Sequence, residues 1–137
     1  MNVLITCRGR AKLVGKEQER QDIFAPTSHA SASRSPQMHA LFVHNSLDFP
    51  LSMIRQSGVF CVNFLPKERH GEIAFCSRHA GEHIDKFRET QLTKSECEAI
   101  DCPRISEAEA HLECELVQEQ IVGDHVLLVG KVIRSSP

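Results

Sequence analysis

The chain of 137 residues lacks an apolar run long enough to cross a membrane as a helix. Because such a span needs about 18 consecutive apolar residues, we expect no membrane segment. The N-terminal stretch MNVLITCRGR contains a short apolar run, but no basic residue precedes it and no small-residue cleavage site follows it. We interpret this stretch as a first strand rather than a signal peptide.

A strong charge imbalance is also missing, since the formal net charge is −2 and residues of both signs are mixed along the chain. No basic surface for nucleic acid is therefore expected. The length predicts one domain, residues 1–137, with a small hydrophobic core.

The common metal-binding motifs CxxC and HExxH do not occur. Cys97 and Cys102 have no matching pair at zinc-ligand spacing, and the spacing of His79 and His83 is weakened by Gly81 between them. We expect no metal, and a His/Cys site remains the weaker alternative. Most cysteines lie in or beside apolar runs, where a free thiol behaves as a small hydrophobic group. This usage fits a reducing cytoplasm.

What the sequence does contain is a series of short apolar segments with strand periodicity. The clearest is 108–116, where Ala, Leu and Cys alternate with Glu and His. Gly123–Asp124 marks a turn, and VLLVGKVI is the returning strand. Further strands are predicted at 3–6, 23–28, 38–43 and 59–64.

Helices are predicted to be few and short. One begins with Asp48 as N-cap and Pro50 in its first turn, and it ends at Gly58. Others are expected at 66–75 and near Ile84 and Phe87. The polar segments 8–21 and 94–104 are predicted to be connections. Five or six strands with two or three helices indicate a mainly β fold, an antiparallel β-barrel with short helical insertions.

The most distinctive stretch is 22–43, which reads DIFAPTSHASASRSPQMHALFV. Two apolar segments flank a crossing, 27–36, that is rich in Ser and Thr and has no Gly. Small hydroxylated residues let backbone N–H and side-chain O–H groups approach an anionic or polar ligand. The alternative is a Ser-rich surface loop between two strands.

Five motifs carry a family resemblance, in the order VLITC, DIFAPTSHASASRSPQMHALFV, SMIRQSGVFCVNFLP, CSRHAGEHIDKF and AHLECELVQEQIVGDHVLLVGKV. Over nearly its whole length the chain resembles the flavin reductase-like family, the FMN-binding split β-barrels that include flavoredoxin-type proteins. The resemblance implies a Greek-key split barrel that forms a homodimer, with FMN at the subunit interface. It also implies reduction of flavin by NADH or NADPH, or electron transfer through bound FMN.

The same resemblance implies roles for individual residues. Those that match flavin-lining positions are Ala25, Pro26, Thr27, Ser28 and Ser33. Those that match positions near the phosphate are Asn45, Ser46, Ser77 and Lys86. His125 matches a histidine near the flavin and the substrate, and it is the expected proton donor because imidazole side chains in general exchange protons near physiological pH.

The chain departs from the family pattern at three places. Residues 48–50, Asp-Phe-Pro, stand where members often carry Arg-x-Thr for the phosphate, and Ala80-Gly81 replaces Ser-Gly. Arg34 replaces an aromatic residue and is a candidate source of the lost positive charge. These changes keep a second hypothesis open, a split-barrel dimer that has lost flavin and serves as a binding or scaffold module. Another planar cofactor, such as haem, is a further alternative.

Overall fold

The structure, a computed structural model, describes residues 2–78 and 84–137, and it confirms a mainly β fold. His79, Ala80, Gly81 and His83 lie outside the described residues. The elements, in chain order, are β1 (Val3–Leu13), β2 (Lys16–Phe24), β3 (Ser28–Arg34), β4 (Gln37–His44), α1 (Asp48–Ser57), β5 (Val59–Phe64), a 3-10 turn (Lys67–Arg69), α2 (His70–Arg78), α3 (Lys86–Thr90), β6 (Lys94–Glu96), β7 (Pro103–Ile105), β8 (Ala110–Val122) and β9 (His125–Ser136).

Seven strands form one antiparallel sheet in the order β2-β1-β5-β8-β9-β4-β3. The two edge strands, β2 and β3, are consecutive in the chain and only residues 25–27 join them. Because three residues span about 10 Å at most, the two edges meet at one corner and the sheet must curl round on itself. We call residues 25–27 the corner.

Several predicted elements are confirmed. Strands β4 and β5 and the β8–β9 hairpin with its turn at Gly123–Asp124 lie where the pattern places them. Helix α1 ends at Gly58, which has the left-handed φ of 76° that favours glycine. The N-cap is Leu47, however, and Asp48 is the first helical residue, so the prediction of an Asp48 cap was wrong by one position.

Three polar segments predicted as connections are strands instead. Most of 8–21 belongs to β1 and β2, which turn at Val14 and Gly15, both with positive φ. Most of 27–36 forms β3, and 94–104 contains β6 and most of β7. Much of β2, β3 and β6 is solvent-exposed, so backbone hydrogen bonding forms these strands without the apolar pattern of a buried face.

Buried side chains form two clusters. The larger lies between the sheet and α1 and includes Phe24, Leu51, Ile54 and Phe60. The smaller joins β1 and β2 to residues of α2, to Leu92 and to β7. Among the described residues, no helix is both long and apolar enough to cross a membrane.

Candidate functional site

A polar cluster forms where the corner meets the β8–β9 turn. Thr27 in the corner donates its backbone N–H to the carbonyl of Phe42 at 2.8 Å. Its Oγ1 lies 2.9 Å from Nε2 of His125, the first residue of β9. Thr27 and His125 are 98 positions apart in the chain, and the curl of the sheet brings them together. The structure therefore places two of the predicted site residues in direct contact.

The His125 ring is held on several sides. It stacks on Phe42, with ring centres 4.5 Å apart and an interplanar angle of 11°, and it meets the His44 ring edge-on. Its Nδ1 lies 2.8 Å from Oδ1 of Asp124. This hydrogen bond, followed by the charges of His125 and His44, lowers the pKa of the Asp124 carboxyl. Asp124 thus remains ionised beside the imidazole at neutral pH.

Asn45 and Ser46 belong to the same cluster. The Asn45 backbone N–H donates to the carbonyl of Asp124 at 2.8 Å. Ser46 contacts His44, with 2.8 Å between Oγ and Nδ1. The turn leads directly into α1, whose first turn has no side-chain cap. Backbone N–H groups at a helix N-terminus favour anions, so this end of the cluster suits a phosphate, although the exposed carboxylate of Asp48 opposes one.

The other corner residues continue this surface. Ala25 and Pro26 precede Thr27, and Ser28 pairs with Phe42 across β3 and β4. Beside them lies a shallow depression of about 210 Å³, lined by Ser28, His29, Ala30, Ala40, Leu41, Phe42 and Leu127. Ser33 lies five residues further along β3, opposite Met38. At about 3.3 Å per residue, Ser33 is some 17 Å from Ser28 and outside the cluster.

Lys86 and Ser77 have partners of their own. Lys86 is buried, with Nζ 3.1 Å from Oδ1 of Asp22, and it donates to the carbonyl of Ile23. Burial raises the pKa of Asp22, while the charge of Lys86 opposes that rise. Lys86 thus anchors the end of β2 just before the corner. Ser77 donates its hydroxyl to the carbonyl of Ile73 within α2. For both residues, contact with a phosphate remains a prediction.

Three members of the cluster were not among the site residues predicted from the sequence, namely Phe42, His44 and Asp124. A usable signal exists, because Phe42 and His44 alternate with the buried Leu41 and Val43 and therefore share the other face of β4. The decisive fact is the register of β4 against β9, which sets His44 opposite His125.

The residue types in this cluster are suited to bind the phosphate and the ring of a flavin. The hydroxyls and the uncapped helix end supply polar contacts, and the aromatic stack supplies a flat face. A cationic group lies near the start of α1, since the guanidinium carbon of Arg20 is 5.8 Å from the centre of the ring of Phe49, the second residue of the helix. In the part of the chain that the structure describes, no group of three His, Cys, Asp or Glu residues is arranged to hold a metal ion.

Comparisons with known proteins agree with this geometry. A family model described as flavin reductase like domain matches residues 1–136. The reductase subunit of a flavin-dependent monooxygenase from Rhodococcus jostii is 31% identical over 109 residues, which are 80% of this chain and 52% of that protein. The chain therefore spans about half the length of this relative.

Two solved structures show the fold. A split-barrel protein from Shewanella frigidimarina superposes with a TM-score of 0.83 at 15% identity, covering 97% of this chain and 64% of that one. An FMN-binding protein from Thermus thermophilus gives 0.83 at 20% identity, covering 98% and 68%. The curled seven-stranded sheet is therefore a split barrel, as the sequence predicted.

Proposed function

The chain belongs to the flavin reductase-like domain family, and on that premise we propose that it is an FMN-binding oxidoreductase. Its activity is that of an NAD(P)H-dependent flavin reductase or of a flavoredoxin-like electron-transfer protein. The observation that carries the proposal is the cluster of Thr27, Asn45, Ser46 and His125 at the corner of the barrel. The Thermus protein with the same fold is FMN-binding, which supports the choice of cofactor.

In this proposal the corner residues hold the cofactor. Ala25, Pro26, Thr27 and Ser28 contact the ring or the ribityl chain, and Asn45 and Ser46 with the start of α1 contact the phosphate. Bound flavin supplies the hydride and electron chemistry, so no side chain needs to act as a nucleophile. Ser33, Ser77 and Lys86 belong to the proposed binding residues only through the family resemblance.

His125 is the proposed proton donor, and its contacts define which nitrogen exchanges the proton. Nδ1–H donates to the Asp124 carboxylate, which fixes the tautomer. Nε2 then faces Thr27 Oγ1, accepting from its hydroxyl when neutral and donating when protonated. The proton at Nε2 is therefore the one that His125 gives to a substrate.

We also propose a homodimer in the cytoplasm. The depression beside Phe42 is too shallow to enclose a flavin alone, so a second subunit is needed to cover it. Four of the five large apolar side chains found exposed among the described residues lie on the β8–β9 hairpin, namely Val117, Ile121, Val122 and Ile133. All six cysteines are free, which supports a reducing compartment.

The first test is the visible absorption spectrum of the purified protein after FMN is added and the excess is removed. Retained flavin bands, bleached by NADH or NADPH, are the expected result. Flavin reduction without retention identifies FMN as a passing substrate. A protein that neither retains nor reduces FMN would contradict the proposal.

One observation favours the alternative of a barrel that has lost flavin. Lys86, which matches a phosphate position, is paired with Asp22, while Asp48 adds a negative charge at the start of α1. Under this alternative the protein remains a dimer and serves as a binding or scaffold module. An intact dimer that fails to bind or reduce either FMN or FAD would support it.

A further inference from the structure

Three cysteines, Cys61, Cys97 and Cys102, lie near one another at the β6–β7 hairpin. Cys61 on β5 pairs with Thr6 on β1, and the Thr6 carbonyl oxygen lies 3.3 Å from the Cys102 sulfur. Cys97 and Cys102 also both approach the carbonyl oxygen of Pro103, at 3.8 and 3.3 Å. Their two sulfurs are therefore at most about 7 Å apart.

The strand register makes Cys97 and Cys102 direct partners. In β6 and β7, Ser95 pairs with Arg104 and Glu96 with Pro103, and the next pair in this register is Cys97 with Cys102. The Cys97 N–H donates to the Cys102 carbonyl at 2.9 Å. Residues paired in this way have Cα atoms about 5.5 Å apart and side chains on the same face. That spacing lies within the range of about 4.4–6.8 Å found for disulfides.

The loop between the two cysteines is held in place from both sides. The Arg8 guanidinium donates to Glu96 at 2.6 Å and to Asp101 at 2.9 Å, the residues that immediately precede Cys97 and Cys102. The buried Glu113 carboxylate accepts the backbone N–H groups of Glu98 and Ala99. Charged hydrogen bonds therefore hold the residue before each cysteine and the middle of the loop. The loop conformation keeps the two cysteines close together.

The three thiols are chemically unequal. Cys61 and Cys102 are fully buried, whereas Cys97 is partly exposed. Hydrogen bonds from Cys102 and Cys61 lower the pKa of Cys97 to about 5 against the cost of burial, and Arg104 adds its charge. Burial raises the pKa of Cys102. A partly exposed thiolate beside a protonated thiol is the arrangement of an attacking and a resolving cysteine.

We propose that Cys97 and Cys102 form a reversible redox pair that responds to peroxide. The Cys97 thiolate attacks one oxygen of hydrogen peroxide and breaks the O–O bond, which gives a sulfenic acid and hydroxide that takes up a proton to become water. The Cys102 thiol then attacks the Cys97 sulfur, the S–O bond breaks and a second water leaves. One peroxide is reduced as two thiols become one disulfide. A small dithiol restores both thiols.

The test treats the purified full chain with hydrogen peroxide and maps the products by mass spectrometry before and after reduction with dithiothreitol. The expected product is an intramolecular bond between Cys97 and Cys102, seen as the loss of two hydrogens. The Cys97→Ser variant should not form this bond. The control Cys76→Ser, which changes a buried cysteine in the smaller hydrophobic cluster, should still form it. In Cys102→Ser, dimedone traps the sulfenic acid on Cys97.

If a variant fails to fold, the cysteine products identified by mass spectrometry in the wild-type protein are sufficient to test the proposal. A bond between Cys97 and Cys61, a bond between two chains, sulfinic acid on Cys97 without a bond, or unmodified thiols would each overturn the assignment. A second measurement follows iodoacetamide labelling of Cys97 against pH. Labelling that persists well below the range of an ordinary thiol supports the attacking role, and labelling that requires alkaline pH contradicts it.

Discussion

At the residue scale, the imidazole of His125 has separate contacts at its two nitrogens and on its ring face. Replacing it in His125→Ala should slow flavin reduction about a hundredfold, since a positioned acid contributes roughly 10²–10⁴-fold. FMN binding should change little, because Thr27, Asn45 and Ser46 remain. Steady-state NADH oxidation and FMN titration measure the two effects separately. His70→Ala, at an exposed histidine on α2, is the matched control, and equal kinetics in both variants would remove His125 from the mechanism.

A second histidine has a consequence for stability. His39 is buried on β4, with Nε2 2.9 Å from Nδ1 of His29. Burial, together with the charge of His29, lowers the pKa of His39 from 6.5 to about 4. Between these values the unfolded chain binds a proton that the folded chain does not, so folding stability falls as pH falls through this window.

We expect the free energy of unfolding to fall by about 1–2 kcal/mol more in the wild type than in His39→Gln between about pH 7 and pH 5. Urea unfolding at the two pH values measures the difference. The lowered pKa of Glu96 beside Arg8 acts in the same direction, but it is common to both proteins and cancels. His70→Gln should behave as wild type, and a pH dependence unchanged in His39→Gln would contradict the assignment.

At the scale of elements, the start of α1 combines an uncapped helix end with the carboxylate of Asp48. In Asp48→Asn the repulsion of a bound phosphate is removed while side-chain size is kept. Since charges at exposed helix ends are worth roughly 0.3–1 kcal/mol, FMN should bind about two- to fivefold more tightly. Fluorescence titration of FMN measures this. Glu68→Gln makes the same charge change at another exposed residue, and an equal gain there would point to net charge alone.

The packing of β9 against β5 and β8 depends on Gly130. A Cβ at this position would lie 2.5 Å from Cζ of Phe60 and 2.8 Å from Cβ of Cys114. Gly130→Ala should therefore lower the free energy of unfolding by about 1–3 kcal/mol. Gly71→Ala in α2 meets nothing within 4 Å and should be neutral or stabilising by up to about 1 kcal/mol. Denaturant unfolding measures the stability of the two variants. Equal midpoints would show that the sheet can shift to accommodate the added methyl group at position 130.

The elements also show what sequence reasoning reaches. Strand β8 was predicted because apolar residues alternate with polar ones, and the end of α1 because Gly58 suits an unusual φ, and both features leave a local pattern. The polar strands β2 and β3 leave none, since much of each is solvent-exposed and is held by backbone hydrogen bonds to β1 and β4. The site behaves similarly. Thr27 and His125 came from a family motif, whereas the register of β4 and β9, which no local pattern gives, sets His44 and Asp124 beside His125.

At the scale of the whole molecule, the exposed apolar residues of the β8–β9 hairpin are the proposed dimer contact. Ile121 is 75% exposed, and Ile121→Lys should convert the dimer to a monomer and weaken FMN retention with it. Sedimentation velocity and the flavin spectrum measure the two effects. Val14→Lys places the same charge at a fully exposed turn and should leave both unchanged. If the Ile121→Lys variant stays dimeric, the interface does not lie on the β8–β9 hairpin.

The strand order has a further consequence for how the chain assembles. Strands β2, β1 and β5 form one group and β4 and β3 another, and within the sheet only β8 and β9 join the two. Because β8 and β9 follow all the others in the chain, neither group can complete its hydrogen bonding while a ribosome is still extending the chain before them. Synthesis of this protein therefore passes through a long interval with two half-sheets and exposed strand edges. Chaperone contact during translation should concentrate in that interval and end when the last hairpin emerges.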